Sequence, residues 1–128
     1  MEEQKYFIPK IEDIKIGYEC EADISFYTNA HKPTWNKNIF KGVGQDVIKY
    51  HSWGMYRTPY LTKEQIESED WIFTQQIGNT LFFKKKDFEL TFNTNRIEIN
   101  NFGEYDLGYW GNCKDINTFR YICKLLEI

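Results

Sequence analysis

The chain has 128 residues, 41% of them hydrophobic and 27% charged, which is the length of a single domain spanning residues 1–128. Sixteen basic residues against nineteen acidic ones leave a net charge of -3, the wrong sign for a generic binder of nucleic-acid backbones. No apolar run approaches the ~18 residues of a membrane span, and no charged start followed by an apolar stretch marks a secretory signal.

The first clear element is Tyr18 to Phe26. Tyr18, Cys20, Ala22, Ile24 and Phe26 alternate with Glu19, Glu21, Asp23 and Ser25, the period-two pattern of a strand with one wet face. Residues 28–45 read as a long irregular loop, because Asn29, His31, Pro33, Asn36, Asn38, Gly42 and Gly44 interrupt regular structure. Val47 to Trp53 reads as a short strand. Arg57-Thr58-Pro59-Tyr60 is extended, since proline biases its predecessor away from helix.

Thr62-Lys63-Glu64-Gln65 matches the capping box and predicts a helix of about two turns. From there the pattern returns to strands. Trp71-Ile72-Phe73 and Leu81-Phe82-Phe83 pair across a Gly78-Asn79 turn. Lys84-Lys85-Lys86-Asp87 makes a polar corner. Phe88, Leu90 and Phe92 alternate, Asn93-Thr94-Asn95 turns the chain, and Ile97 and Ile99 alternate again. Residues 101–112 read as a glycine-punctuated aromatic loop. Asp115 or Asn117 caps a last helix, in which Ile116, Phe119, Ile122, Cys123 and Leu126 recur at three- and four-residue spacing.

Together these elements predict an α+β fold. An antiparallel sheet of about five to six strands carries a short inserted helix, and a C-terminal helix packs on its apolar face. Cys20, Cys113 and Cys123 are an odd set without metal-ligand spacing. With no signal sequence they read as reduced thiols in a cytoplasmic protein, Cys20 and Cys123 as small core residues.

The stretches Gly17-Tyr18-Glu19-Cys20-Glu21, Arg57 to Ile66, Trp71, and Asn117 to Leu126 resemble a group of small uncharacterised proteins of Bacteroidetes genomes and their phages. The likeness touches the beginning, middle and end of the chain. It brings no catalytic residues. What it implies is context: a phage or mobile-element accessory protein in the cytoplasm of a host cell, of the kind that inhibits or sequesters components of host defence.

Candidate sites follow from residue chemistry. Glu19, Glu21 and Asp23 share a strand face and could hold a cation for hydrolysis, or simply form a solvated face. His31 and His51 are the only histidines; His51 and Ser52, neighbours on a predicted strand, would face opposite sides and make no catalytic pair. Gly42-Val43-Gly44 lacks the further glycine and lysine of a phosphate loop, with no strand–helix context read around it. Lys84-Lys85-Lys86 could engage phosphate, but in a predicted corner such a run more often serves solubility or edge protection.

The aromatic–basic constellation is the leading candidate. Trp53, Tyr56, Arg57 and Tyr60, beside Tyr50, form one group; Tyr109 and Trp110, beside Tyr105, form the other. Aromatic faces stack on nucleobases, and a guanidinium fork meets phosphate. The expectation is a non-enzymatic protein without cofactor or metal. It would sequester a nucleotide-like small molecule on Trp53, Tyr56, Arg57, Tyr60, Tyr109 and Trp110, with Arg57 at the phosphate. The same surface would alternatively inhibit a host defence protein. A virion accessory role and a metal-dependent hydrolase are further alternatives. Exposed sheet edges leave room for a homodimer.

Overall fold

A computed structural model describes residues 5–25, 31–101 and 108–128. The chain divides into two compact units, Met1–Pro59 and Tyr60–Ile128. Buried apolar residues gather in two clusters, one built from residues of each unit, where the length argument expects one core.

In the first unit, strands β1 (Tyr6–Phe7), β2 (Glu19–Asp23), β3 (Trp35–Ile39) and β4 (Tyr56–Pro59) form a four-stranded sheet in the order β1-β4-β2-β3. All its pairings are antiparallel. The alternation read along β2 holds at Tyr18 and Cys20, buried with Ile14, Phe40 and Tyr56, and at Ala22, packed against them. The strand ends at Asp23, however, and the face of Glu19, Glu21 and Asp23 is half-buried and not wet. Phe26 lies outside the described residues. Tyr18 and Thr58, both buried, share a hydroxyl hydrogen bond of 2.7 Å.

Two expectations for this unit are corrected. The loop over 28–45 contains β3, whose Trp-Asn-Lys-Asn-Ile sequence has little strand propensity of its own but pairs along the whole of β2. Val47 to Trp53 is not a strand; helix α1 (Gln45–Ser52) covers it. Val47 and Tyr50, three residues apart, pack on the core. Asp46 sits in the first turn and Lys49 in the last, each matching the helix dipole. Gly54, at φ 71°, lets the chain leave the helix, its N–H donating to the carbonyl of His51 at 3.0 Å.

The second unit opens with α2 (Lys63–Ser68). Its capping box is complete: Thr62 Oγ1 accepts from the Gln65 N–H at 3.2 Å, and Gln65 Oε1 accepts from the Thr62 N–H at 3.1 Å. Strands β5 (Ile72–Ile77), β6 (Thr80–Lys85), β7 (Phe88–Asn93), β8 (Arg96–Asn101) and β9 (Gly108–Asn112) follow as an antiparallel meander in sequence order. Helix α3 (Ile116–Leu125) ends the unit. Asp115 Oδ1 caps it, accepting from the Thr118 N–H at 3.4 Å and hydroxyl at 2.7 Å.

Leu90, Phe92, Ile97 and Ile99 point from the sheet into one cluster with Ile116, Phe119 and Ile122 of α3. Trp71 and Phe119 are fully buried there, ring centroids 6.2 Å apart. Arg120 Nε donates to Glu69 Oε1 at 2.6 Å and ties α3 to the end of α2.

The α+β class therefore stands, with antiparallel strands, a short inserted helix and a C-terminal helix on a sheet. The strands number nine among the described residues and are shared between two sheets, not gathered in one. The expected loop over 101–112 is corrected in part: Gly108–Asn112 is a strand, and 102–107 lie outside the described residues. Lys84 and Lys85 belong to β6, so the corner narrows to Lys86-Asp87. Among the described residues no helix is long and apolar enough to cross a membrane.

Candidate functional site

Because strands alternate, the second sheet has an outward face opposite its core. Register places Phe82, Thr91, Glu98 and Trp110 in one row across β6 to β9, and Asn93, Arg96 and Asn112 in the row beside it. Of these, Thr91, Asn93, Arg96, Glu98 and Trp110, together with Thr80, Thr94 and Ile97, line an open groove of about 670 Å³. That size falls within the ~300–1,000 Å³ of small-molecule sites.

Trp110 is 76% exposed, the largest exposure among the apolar side chains of the described residues. Its strand partner is Glu98, and Arg96 is two residues from Glu98 on the same face. Among the described residues no carboxylate forms an ion pair with Arg96. Asn93 is held in place, its Nδ2 donating to Thr80 Oγ1 at 3.2 Å while Oδ1 accepts from the Thr94 hydroxyl at 3.1 Å. The groove thus offers an open indole face, a guanidinium, a carboxylate and several neutral polar groups.

Two backbone features set this geometry. The β7–β8 hairpin turns through Thr94 and Asn95, at φ 36° and 63°, the positive angles of a tight two-residue turn. Gly108, opposite Asn100 at the start of β9, has no room for a side chain: a Cβ there would lie 2.5 Å from the Ile99 carbonyl oxygen.

The six residues expected to form one site are distributed differently. Trp53, Tyr56 and Arg57 belong to the first unit; Tyr60, Tyr109 and Trp110 belong to the second. Tyr56 is core, its ring edge-on to Phe40 at 5.1 Å. Trp53 is half exposed at the end of α1, against Tyr50, with the Lys49 ammonium 4.9 Å from its ring. Arg57 is enclosed by its own sheet: Nε donates to Glu21 Oε1 at 2.7 Å, and the guanidinium lies 3.7 Å from the Tyr6 ring and 4.2 Å from the Trp35 ring.

Tyr60 is partly buried near the Lys114 ammonium. Tyr109 and Trp110 part company because β9 is a strand. Tyr109 packs toward the core and its hydroxyl donates to the Asn112 carbonyl at 2.7 Å, while Trp110 faces the groove. Tyr105 lies outside the described residues. Of the six, Trp110 alone lines the groove. Arg96, Asn93, Thr91 and Glu98 join it unforeseen, although the alternation of Arg96 and Glu98 with Ile97 and Ile99 already placed them opposite the core.

The remaining candidates take structural roles. Glu19 pairs with Lys37 at 3.6 Å and Glu21 with Arg57. Asp23 accepts from the backbone N–H groups of Ser25 and Thr34, each at 2.9 Å, which hold its carboxyl below the usual range. Among the described residues no three acidic, histidine or cysteine side chains converge as metal ligands. His51 Nε2 donates to the Pro9 carbonyl at 2.6 Å and Ser52 Oγ to that of Lys49 at 2.6 Å, both from a helix and not from a strand.

Gly42-Val43-Gly44 does lie between a strand and a helix, contrary to expectation, but brings no lysine at phosphate-loop spacing. All three cysteines are free and buried; burial pushes the Cys20 thiol up to about 11 and the Cys113 thiol up to about 12. No protein-family model, curated protein or solved structure matches this chain.

Proposed function

We propose that this protein binds a small nucleotide-like molecule on the outward face of its five-stranded sheet. The observation that carries this reading is an indole 76% exposed beside a guanidinium that forms no ion pair among the described residues, on the wall of one groove. An indole face is a stacking platform for a nucleobase. A guanidinium is a planar donor for phosphate.

Glu98 sets the direction. Its carboxylate repels phosphate and accepts from amino or imino N–H groups. The base therefore lies at the Trp110–Glu98 row and the phosphate at the Arg96–Asn112 row. Adjacent rows on one face are about 7 Å apart, a spacing that a single nucleotide spans. In the phage or mobile-element setting of the resembling group, such a binder would withdraw a nucleotide from host defence.

Calorimetry against mono-, di- and cyclic nucleotides tests the proposal. Trp110→Ala should weaken binding by about 5–150-fold, the equivalent of one stacked base at ~1–3 kcal/mol. Arg96→Gln should weaken phosphorylated ligands and leave free nucleosides unchanged. A panel that shows no heat at ~0.5 mM ligand, far above ordinary site affinities, overturns the proposal.

A further inference from the structure

Strand β5 is the outer strand of the five-stranded sheet, and among the described residues it pairs only with β6. Its backbone donors and acceptors on the other side form a row that can template a further strand. Natural edges are commonly blunted by lysine, proline, a short strand or a bulge, and of these β5 carries only a bulge, between Phe73 and Gln75. This one is six residues long, Ile-Phe-Thr-Gln-Gln-Ile, with neither charge nor proline. The uncharged run extends from Trp71 to Phe83 in a chain that is 27% charged. Ile72 is 70% exposed and Ile77 61% exposed.

The bulge in β5 determines what the edge can pair with. Residues five apart on a regular strand face opposite sides. Here the register slips between Phe73 and Gln75, so Ile72 lies opposite Lys84 and Ile77 opposite Thr80. Lys84 and Thr80 share the outward face of β6, and both isoleucines therefore face outward.

We propose that β5 pairs antiparallel with β5 of a second copy of this chain, about a two-fold axis between Thr74 and Gln75. In that register Ile72 meets Ile77 of the other copy, both outward, and Phe73 meets Gln76, both inward. A slip of one residue either way sets an outward isoleucine against an inward residue. Charge does not oppose the register: Ile72–Ile77 carries no charged side chain, so no like charges face each other within the pair. Lys63, whose ammonium lies 4.3 Å from the Phe73 ring, is already paired with Glu67. A six-residue strand pair is smaller than the ~800 Å² per partner of a standard interface, and the dimer is accordingly a weak one.

Analytical ultracentrifugation of the full chain, from ~1 µM to ~1 mM to cover weak association, tests the pairing. The parent mass should climb from 15.5 kDa toward twice that value. The double variant Ile72→Lys with Ile77→Lys sets like charges across the axis and should weaken association by at least about tenfold. Ile72→Lys with Ile77→Glu sets opposite charges there and should restore it. Both positions are exposed, and circular dichroism confirms that each variant is folded. A parent that stays at one chain's mass overturns the proposal. So does a like-charged variant that associates as the parent does, or an opposite-charged variant that fails to associate.

Discussion

Arg57→Ala distinguishes a guanidinium that holds a sheet together from one that waits for a ligand. The side chain makes one charge-assisted hydrogen bond of 2.7 Å with Glu21, the two groups being 27% and 25% exposed. Discounted for solvent, that bond contributes about 1 kcal/mol. Two ring faces, Tyr6 and Trp35, lie within cation–π reach, at about 0.5–1 kcal/mol each. The variant should therefore lose about 2–3 kcal/mol. With a slope of ~1–3 kcal/mol per molar urea, the unfolding midpoint should fall by roughly 0.7–3 M. Arg57→Lys should recover only part of the loss, because an ammonium neither stacks nor forks. Nucleotide binding at the Trp110 groove should be unchanged. A loss below about 0.5 kcal/mol, the size of an ordinary surface substitution, would refute the structural role. A loss of nucleotide binding without a loss of stability would return Arg57 to the ligand.

Gly108→Ala should push β9 away from the Ile99 carbonyl, and hydrogen exchange at the β8–β9 ladder should rise as nucleotide binding falls, with stability reduced by about 1–3 kcal/mol. Phe119→Ala empties a fully buried position beside Trp71 and should lower unfolding free energy by about 3–5 kcal/mol in urea titration. The native Cys20 and Cys113 thiols should resist a thiol reagent at pH 8 and react in denaturant. Burial raises their pKa values from 9.0 to about 11 and about 12, so the folded state retains protons that the unfolded state gives up. Their contribution is complete below pH 9 and declines as pH rises through about 11. A urea-midpoint profile from pH 8 to 11 should be flatter in Cys20→Ala than in the parent.

The second unit was legible because each local signal agrees with its neighbours. Thr62 and Gln65 both cap, Gly78 supplies its turn at φ 61°, and the period-two runs at Phe88–Phe92 and Ile97–Ile99 are unbroken. The first unit misled where tertiary pairing overrides propensity. Asn36 and Asn38 are poor strand residues, held extended by β2. Val47, Ile48 and Tyr50 favour strands in isolation, yet the helical spacing of Val47 and Tyr50, preceded by Gly44 and Asp46, was present in the sequence. The candidate site was half legible. Trp110 was singled out for its chemistry, but glycines at 108 and 111 disguised its strand, and a loop there would have kept Tyr109 on the same side. Arg96 carries no aromatic signal; only its place on the polar face of an alternating strand marks it.

Putting the groove on ladder-bonded strands, and not on loops, separates two kinds of residue. Along β8 the outward Arg96 and Glu98 line the groove, Ile99 is held in the core, and Ile97, 2% exposed, belongs to the core and also borders the groove. Arg96 and Glu98 can therefore be exchanged with Ile99 left as it is. Such a scaffold can acquire a new ligand by replacing outward side chains one at a time, with its interior left as it was.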